Sequence, residues 1–300
     1  MSLGAIPGTG PNTSPLSVVR KSKRKSFAEL PTGRTLVMGI LNVTEDSFSD
    51  GGQYLAIDKA LDHGLKLLYA GADIIDVGGE STRPGAKDVD PALEQARIIP
   101  VIEALAKAGA VISVDTMHVA TARAAIAAGA HLINDVSGLT YEAGMPELIA
   151  ETGVPYVLMH RRGTAADMVR EANYTEVVTE VVAELRTLRD EFVAKGVKPE
   201  QLIIDPGLGF AKDAAHNWAL LANLQAVGEL GHRVLVGTSR KRFLGELLAD
   251  GGTPREPLGR DGATAATTAL AARDGVWAVR VHDVAGSRDA LEVVKAYGSN

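Results

Sequence analysis

From residue 35 onward the chain repeats one pattern: apolar positions at helical spacing, a glycine, a short continuous apolar run, and then a cluster of polar residues. Continuous apolar runs of this length predict strands buried on both faces, as in a parallel sheet. They fall at residues 36–41, 73–77, 111–115, 131–135, 155–159, 201–204, 233–236 and 277–281. Between them, apolar residues three and four apart predict helices, for example over 58–70, 91–108, 118–127, 174–195 and 287–296. Three of the units share their wording. Ala70-Gly71-Ala72, Ala108-Gly109-Ala110 and Ala128-Gly129-Ala130 each stand between a helical stretch and an apolar run, and Gly there suits a left-handed helix stop.

Eight alternating strand–helix units predict an α/β fold, a single-domain (β/α)8 TIM barrel. Periodicity does not show whether a sheet closes, so an open doubly wound sheet is the competing architecture. The lack of a G-x-G-x-x-G turn after the first strand counts against a dinucleotide-binding version of it.

Composition sets the boundaries of this picture. With 300 residues, 46% of them apolar, the chain can bury a substantial core. It has no cysteine, which excludes disulfides, thiolate metal sites and thiol catalysis. Residues 1–34 are rich in Gly, Pro, Ser and Thr and then basic, with six Lys/Arg and one acid, and are read as a disordered extension to a domain spanning 35–300. The net charge of −6 therefore conceals a body at −11. An acidic body has no general attraction for nucleic acid, and a bound anion must be met by a few placed cations. No apolar run approaches membrane-spanning length.

In a parallel barrel the active site is built at the carboxyl ends of the strands. Those ends carry Asn42, then Glu80 to Gly85, Asp115-Thr116, Asn134-Asp135, Met159-His160, the run from Asp205 to Phe210, Ser239-Arg240-Lys241, and Arg280 to Asp283. Every strand delivers a hydrogen-bonding group to one end. His160 is read as structural. Asp115 and Asp205 also suit helix N-caps, Arg280 suits an inter-strand ion pair, and Pro84 and Phe210 suit loop packing.

Five stretches carry a family resemblance: N-V-T-x-D-S-F-S-D-G-G from Asn42, G-G-E-S-T-R-P-G ending at Gly85, D-P-G-x-G-F-x-K from Asp205 to Lys212, S-R-K from Ser239, and R-V-H-D from Arg280. Together they resemble the signatures of the dihydropteroate synthase family, from about residue 35 to the C-terminus. Glu45 and Leu208 depart from the common spelling without removing a reacting group.

The resemblance implies condensation of 6-hydroxymethyl-7,8-dihydropterin pyrophosphate with p-aminobenzoate, in a cytoplasmic, Mg²⁺-dependent homodimer. It implies Asp115, Lys241 and Arg83 as catalytic residues. Asp205 and Asn134 would bind the pterin edge, with Met159 against the ring. Arg83, Arg280 and His282 would receive the pyrophosphate, Thr82, Pro84, Phe210 and Ser239 the p-aminobenzoate, and Asn42 the Mg²⁺. The glycine- and serine-rich stretches 43–52 and 81–88 would cover the site. A pterin-binding methyltransferase, or a non-catalytic pterin-binding relative, would keep the ring contacts and remains the alternative.

Overall fold

Eight parallel strands close on themselves in sequence order, so the barrel, not the open sheet, is the architecture. The computed structural model describes residues 26–44, 52–80, 89–164, 166–167 and 170–298. The strands are β1 (Leu36–Asn42), β2 (Ile74–Gly78), β3 (Ile112–Asp115), β4 (Leu132–Asp135), β5 (Tyr156–Met159), β6 (Leu202–Asp205), β7 (Arg233–Val236) and β8 (Ala278–Val281). Closure is made where β1 pairs with β8, Met38 opposite Arg280. The helices follow in order. They are α1 (Gly52–Tyr69), α2 (Pro91–Lys107), α3 (Val119–Ala128), α4 (Met145–Thr152), α5 (Val177–Ala194), α6 (Ala214–Leu221), α7 (Leu224–Gly228), α8 (Arg242–Leu247), α9 (Asp261–Arg273) and α10 (Val284–Gly298). The connections after β6 and β7 carry two helices each.

The shared Ala-Gly-Ala wording has one structural cause. Gly71, Gly109 and Gly129 have φ of 101°, 89° and 112°, which only glycine adopts without strain. In each unit the Gly amide donates to the carbonyl three residues back and the following Ala amide to the carbonyl five back, as in Ala72 to Leu67, Ala110 to Leu105 and Ala130 to Ala125. This paired bond satisfies the last carbonyls of the helix and turns the chain directly into the next strand.

Strand side chains alternate between two cores. One parity (Val37, Ile75, Ile112, Ile133, Ile204 and their like) packs outward against the helices. The other places Leu36, Met38, Ile74, Val111, Leu132, Val157, Ile203, Leu235 and Ala278 in a second cluster inside the barrel. The interior is thus a packed core toward the amino ends of the strands, not a pore.

Residues 26–34 are folded: Phe27–Glu29 forms a short 3-10 turn, and Phe27 and Leu30 pack on the interior cluster with Trp277. Arg233 lies 5.1 Å from the Phe27 ring and 5.6 Å from that of Trp277. Arg34 makes a two-point ion pair with Asp73, at 2.8 and 2.6 Å. Composition alone places these residues in the extension, because a short turn buries a few apolar groups without periodicity; in the structure they stopper the amino end of the barrel. Residues 1–25, with the basic cluster, lie outside the described residues.

Candidate active site

The interior parity that is apolar at the amino end becomes polar two residues later on every strand of this set but β5, which brings a methionine. Ile74 is followed on the same face by Asp76, Leu132 by Asn134, Val157 by Met159, Ile203 by Asp205 and Ala278 by Arg280. Pairing register carries a single layer around the barrel from Asn42 to Gly78, Asp115 and Asn134, and sets Met159 beside Asp205. Side chains remote in sequence therefore meet at the carboxyl end.

At the centre is a buried ion cluster. Arg280 donates from Nε to Oδ2 of Asp76 and from Nη2 to Oδ2 of Asp115, both at 2.6 Å. Asn134 donates from Nδ2 to the same Asp76 oxygen at 3.0 Å. Asp76 is fully buried and Asp115 is 6% exposed. Such charges are tolerated only when paired, and one guanidinium reaching across the barrel from β8 meets both carboxylates. The inter-strand ion pair considered for Arg280 thus exists, and it forms the floor of the site. Burial pushes the Asp115 carboxyl up to about 7; Arg280 opposes the shift, and Asp76, Glu94 and Asp135 add to it.

Asp205 ends β6 and is also buried, with Oδ1 accepting the Gly207 amide at 2.7 Å. Burial raises its pKa, and the nearby charge of Lys241 counters most strongly. Neither Asp115 nor Asp205 caps a helix: the N-cap of α3 is His118, and that of α6 is Asp213. Lys241 is brought in by a strained turn after β7. Arg240 has φ of 58°, a left-handed conformation unfavourable to a side chain, and is held there by Nε and Nη2 bonds of 2.7 and 2.8 Å to Asp261. The Lys241 ammonium donates to the Leu208 carbonyl and lies 4.8 Å from the Phe210 ring. Ser239, on the same turn, accepts the His282 amide at 3.0 Å and meets Nδ1 of that imidazole at 2.9 Å.

Of the expected site residues, Asn42, Asp115, Asn134, Met159, Asp205, Phe210, Ser239, Lys241, Arg280 and His282 all come to the carboxyl end of the barrel. Thr82, Arg83 and Pro84 lie outside the described residues, as do 45–51 and the rest of 81–88. Sequence reasoning missed Asp76, which holds both Arg280 and Asn134. The available signal was an ionised side chain in the middle of an apolar run, which demands a buried cation. His160, read as structural, is fully buried between Glu184 and Lys212. Among the described residues no group of three or more His, Cys, Asp or Glu could hold a metal ion. None of the described helices is long and apolar enough to cross a membrane.

Fold and site together define a (β/α)8 barrel of the enzyme type, with buried acids and cations gathered at the carboxyl ends of its strands. The sequence pattern of the family described as pterin binding enzyme matches residues 38–282. A dihydropteroate synthase from Mycobacterium leprae is 54% identical over 263 residues, covering 87% of this chain and 93% of that protein. The Bacillus subtilis dihydropteroate synthase is 45% identical, covering 84% of each chain. The structure is similar to that of Xanthomonas albilineans dihydropteroate synthase with 4-aminobenzoic acid, with a TM-score of 0.82, 45% identity, and coverage of 89% and 94% of the two chains. The same bacterium's enzyme in complex with 7,8-dihydropteroate gives a TM-score of 0.80 at 41% identity, covering 90% and 96%. The chain belongs to the dihydropteroate synthase family, and its activity is the synthesis of dihydropteroate.

One pH dependence follows from the site. Burial lowers the Lys241 pKa to about 8, with Asp205 opposing, Arg280 adding to the shift, and Asp115 opposing. We predict that kcat/KM for the pterin substrate falls as pH rises above about 8, and that Lys241→Arg abolishes this limb in its residual activity. Between that value and the unfolded lysine value of about 10.4 the unfolded chain binds the proton more tightly, so this group's contribution to stability rises with pH while activity falls. A flat kcat/KM profile to pH 9.5 would remove Lys241 as the charged donor.

Proposed function

We propose that the chain joins 6-hydroxymethyl-7,8-dihydropterin pyrophosphate to p-aminobenzoate by a dissociative displacement, in which its residues position and neutralise but do not attack. The observation that carries this reading is the buried cluster of Asp76, Arg280, Asp115 and Asn134, flanked by Asp205 and Lys241. It sets acids and cations side by side at one end of the barrel, and none of these six side chains is an activated nucleophile. An aryl amine is neutral at pH 7, so the reaction needs no general base to uncover its lone pair.

In this reading the guanidine-like edge of the pterin lies against Asp205, whose carboxylate accepts its N–H groups by charge-assisted bonds. Asn134 has its amide N–H committed to Asp76, which leaves Oδ1 to accept from the same edge. Met159 packs on the ring face, and Lys241 donates to the ring carbonyl. Asp115 faces the ring nitrogen that supplies electrons to the reacting methylene and stabilises the positive charge that grows there as the C–O bond breaks. Arg83, Arg280 and His282 receive the departing pyrophosphate. Thr82, Pro84, Phe210 and Ser239 hold p-aminobenzoate with its amine toward the methylene, and residues 43–52 and 81–88 close over both substrates and exclude water.

Mg²⁺ suits this donor set. It favours oxygen ligands, keeps several waters and commonly takes one or two protein groups together with substrate phosphates. Asn42, at the carboxyl end of β1 and in the same layer as Asp115, would supply the protein oxygen. When bound, the ion would neutralise charge on the leaving pyrophosphate. Homodimerisation and a cytoplasmic location complete the proposal.

The test is a coupled pyrophosphate-release assay. Release should require p-aminobenzoate and be suppressed by chelation of divalent cations, and Asn42→Ala should raise the Mg²⁺ concentration needed about tenfold. Release without p-aminobenzoate would indicate a hydrolase. Methyl transfer from a methylated folate, without pyrophosphate release, would replace the synthase reading; pterin binding without turnover would leave only a binding protein.

A further inference from the structure

The turn after β6 carries Phe210 on a backbone that does not hold itself. Gly207 and Gly209 have φ of 68° and 79°, and Ala211, which has a side chain, has φ of 48° and is buried. A methyl group on Gly207 would fall 1.8 Å from the His160 carbonyl oxygen, so the turn is pressed against the end of β5. Backbone in this region persists only where its surroundings over-determine it.

Part of that restraint comes from a buried lysine with no role in the reaction described above. Lys212 donates from Nζ to the Phe210 carbonyl at 2.9 Å, approaches the His160 carbonyl at 3.5 Å, and meets Nδ1 of His160 at 2.9 Å. The other imidazole nitrogen, Nε2, lies 2.8 Å from Oε2 of Glu184 on α5. Hydrogen bonds from His160 and Arg162, with the charge of Arg162, outweigh the effect of burial and hold the Glu184 carboxyl down at about 2, so Glu184 accepts. The imidazole proton is therefore on Nε2, and Nδ1 accepts from the lysine. Burial first, with Lys212 next, keeps the imidazole neutral by lowering its pKa to about 4. Arg162 holds Glu184 from the other side, through Nε at 3.1 Å to each carboxylate oxygen. An unbroken set of polar contacts thus runs from α5 through β5 to the back of the turn.

On the front of the turn stands Lys241, bonded to the Leu208 carbonyl and placed over the Phe210 ring. The turn is gripped by one lysine on each side, and the position of the Phe210 ring relative to Lys241 depends on the rear grip. We propose that Lys212 is a positioning residue for the p-aminobenzoate subsite: backed by His160 and Glu184, it pins the Phe210 carbonyl and so fixes the aromatic wall against which the aryl substrate packs. This rests on the assignment of Phe210 to that subsite. Lys212 itself bonds to His160 and to the Phe210 carbonyl, and in the proposed reading it acts on the aryl substrate only through that turn. Asn134 is held from elsewhere in the barrel, by its bond to Asp76, whereas Phe210 rides on the turn itself, so loosening the rear grip affects the aryl subsite first.

The experiment is steady-state kinetics with each substrate varied in turn. Lys212→Met should raise KM for p-aminobenzoate at least tenfold and change KM for the pterin substrate less than threefold. His160→Asn keeps an acceptor where Nδ1 stands and should leave the p-aminobenzoate KM within about threefold of the parent. His160→Gln places its amide at the Nε2 position, loses that acceptor, and should behave like Lys212→Met. If Lys212→Met does not fold, the His160 pair reads the same quantity. Phe210→Ala separates the two levels of the argument. An unchanged p-aminobenzoate KM in that variant overturns the subsite assignment and this proposal with it. A raised KM in Phe210→Ala with unchanged values in Lys212→Met and His160→Gln overturns the positioning role alone, as would equal rises for both substrates.

Discussion

Replacing Arg280 by Met is expected to lower the unfolding free energy at pH 7 by about 3–5 kcal/mol and to reduce turnover at least a thousandfold. Removing the guanidinium takes away the partner, at 2.6 Å, of both Asp76 and Asp115. Methionine fills much of the volume, so the loss is electrostatic and not a cavity effect. Burial works against the charge of Arg280, but Asp76 and Asp115 more than offset it and its pKa is raised, which leaves no route by which the native protein sheds this cation. In the variant the Asp115 carboxyl, already raised by burial, loses the guanidinium that opposed the shift and titrates further above its unfolded value of about 3.9. For acids with raised pKa, stability is fully present below the unfolded value and is lost as pH rises through the folded one. Denaturant unfolding should therefore show the variant regaining stability as pH is lowered from 7 toward 5. A variant as stable as the parent at pH 7, or one that weakens further on mild acidification, would show that the cluster is not held by charge.

Asp115→Asn separates stability from activity. The wild-type carboxyl is raised to about 7, so at neutral pH its ionised form is a burden on the fold. The amide is nearly isosteric, and Arg280 keeps Asp76 as its partner. Thermal stability should change by no more than a few degrees, while kcat should fall by roughly two to three orders of magnitude because a preorganised charge facing the reacting ring is gone. KM for p-aminobenzoate should hardly move. If kcat falls less than tenfold in a well-folded variant, the charge of Asp115 is not the one that stabilises the transition state.

Much of this arrangement was legible in the sequence because both cores write themselves into it. Strands buried on two faces give continuous apolar runs, and all eight were found within a residue or two of their ends. The three Ala-Gly-Ala stops were readable because a left-handed position at a helix end selects glycine so strongly. That the polar groups meet was inferable from the rule that barrel strands deliver their carboxyl ends to one place. Which groups touch was not. Periodicity places Arg280 and Asp76 on the interior face, but that Arg280 meets Asp76 and Asp115 depends on strand tilt and closure, which no local pattern encodes. Asp76 reads only as part of a strand, and Lys212 only as the last residue of the motif that starts at Asp205. Only the fold shows that each is buried and what it holds. Phe27 and Leu30 were lost to the tail because two apolar residues among polar ones carry no period.

In the proposed function one site at the carboxyl end of the barrel holds the pterin on acids and its pyrophosphate on cations. A crystal structure with a non-reactive analogue of the pterin pyrophosphate tests it most directly. The ring should lie between Asp205 and Asn134 with Met159 on its face, and the pyrophosphate should reach toward Arg280 and His282. An analogue bound instead at the amino end, against Phe27, Arg233 and Trp277, or one whose ring leaves Asp205 and Asn134 untouched, would contradict it.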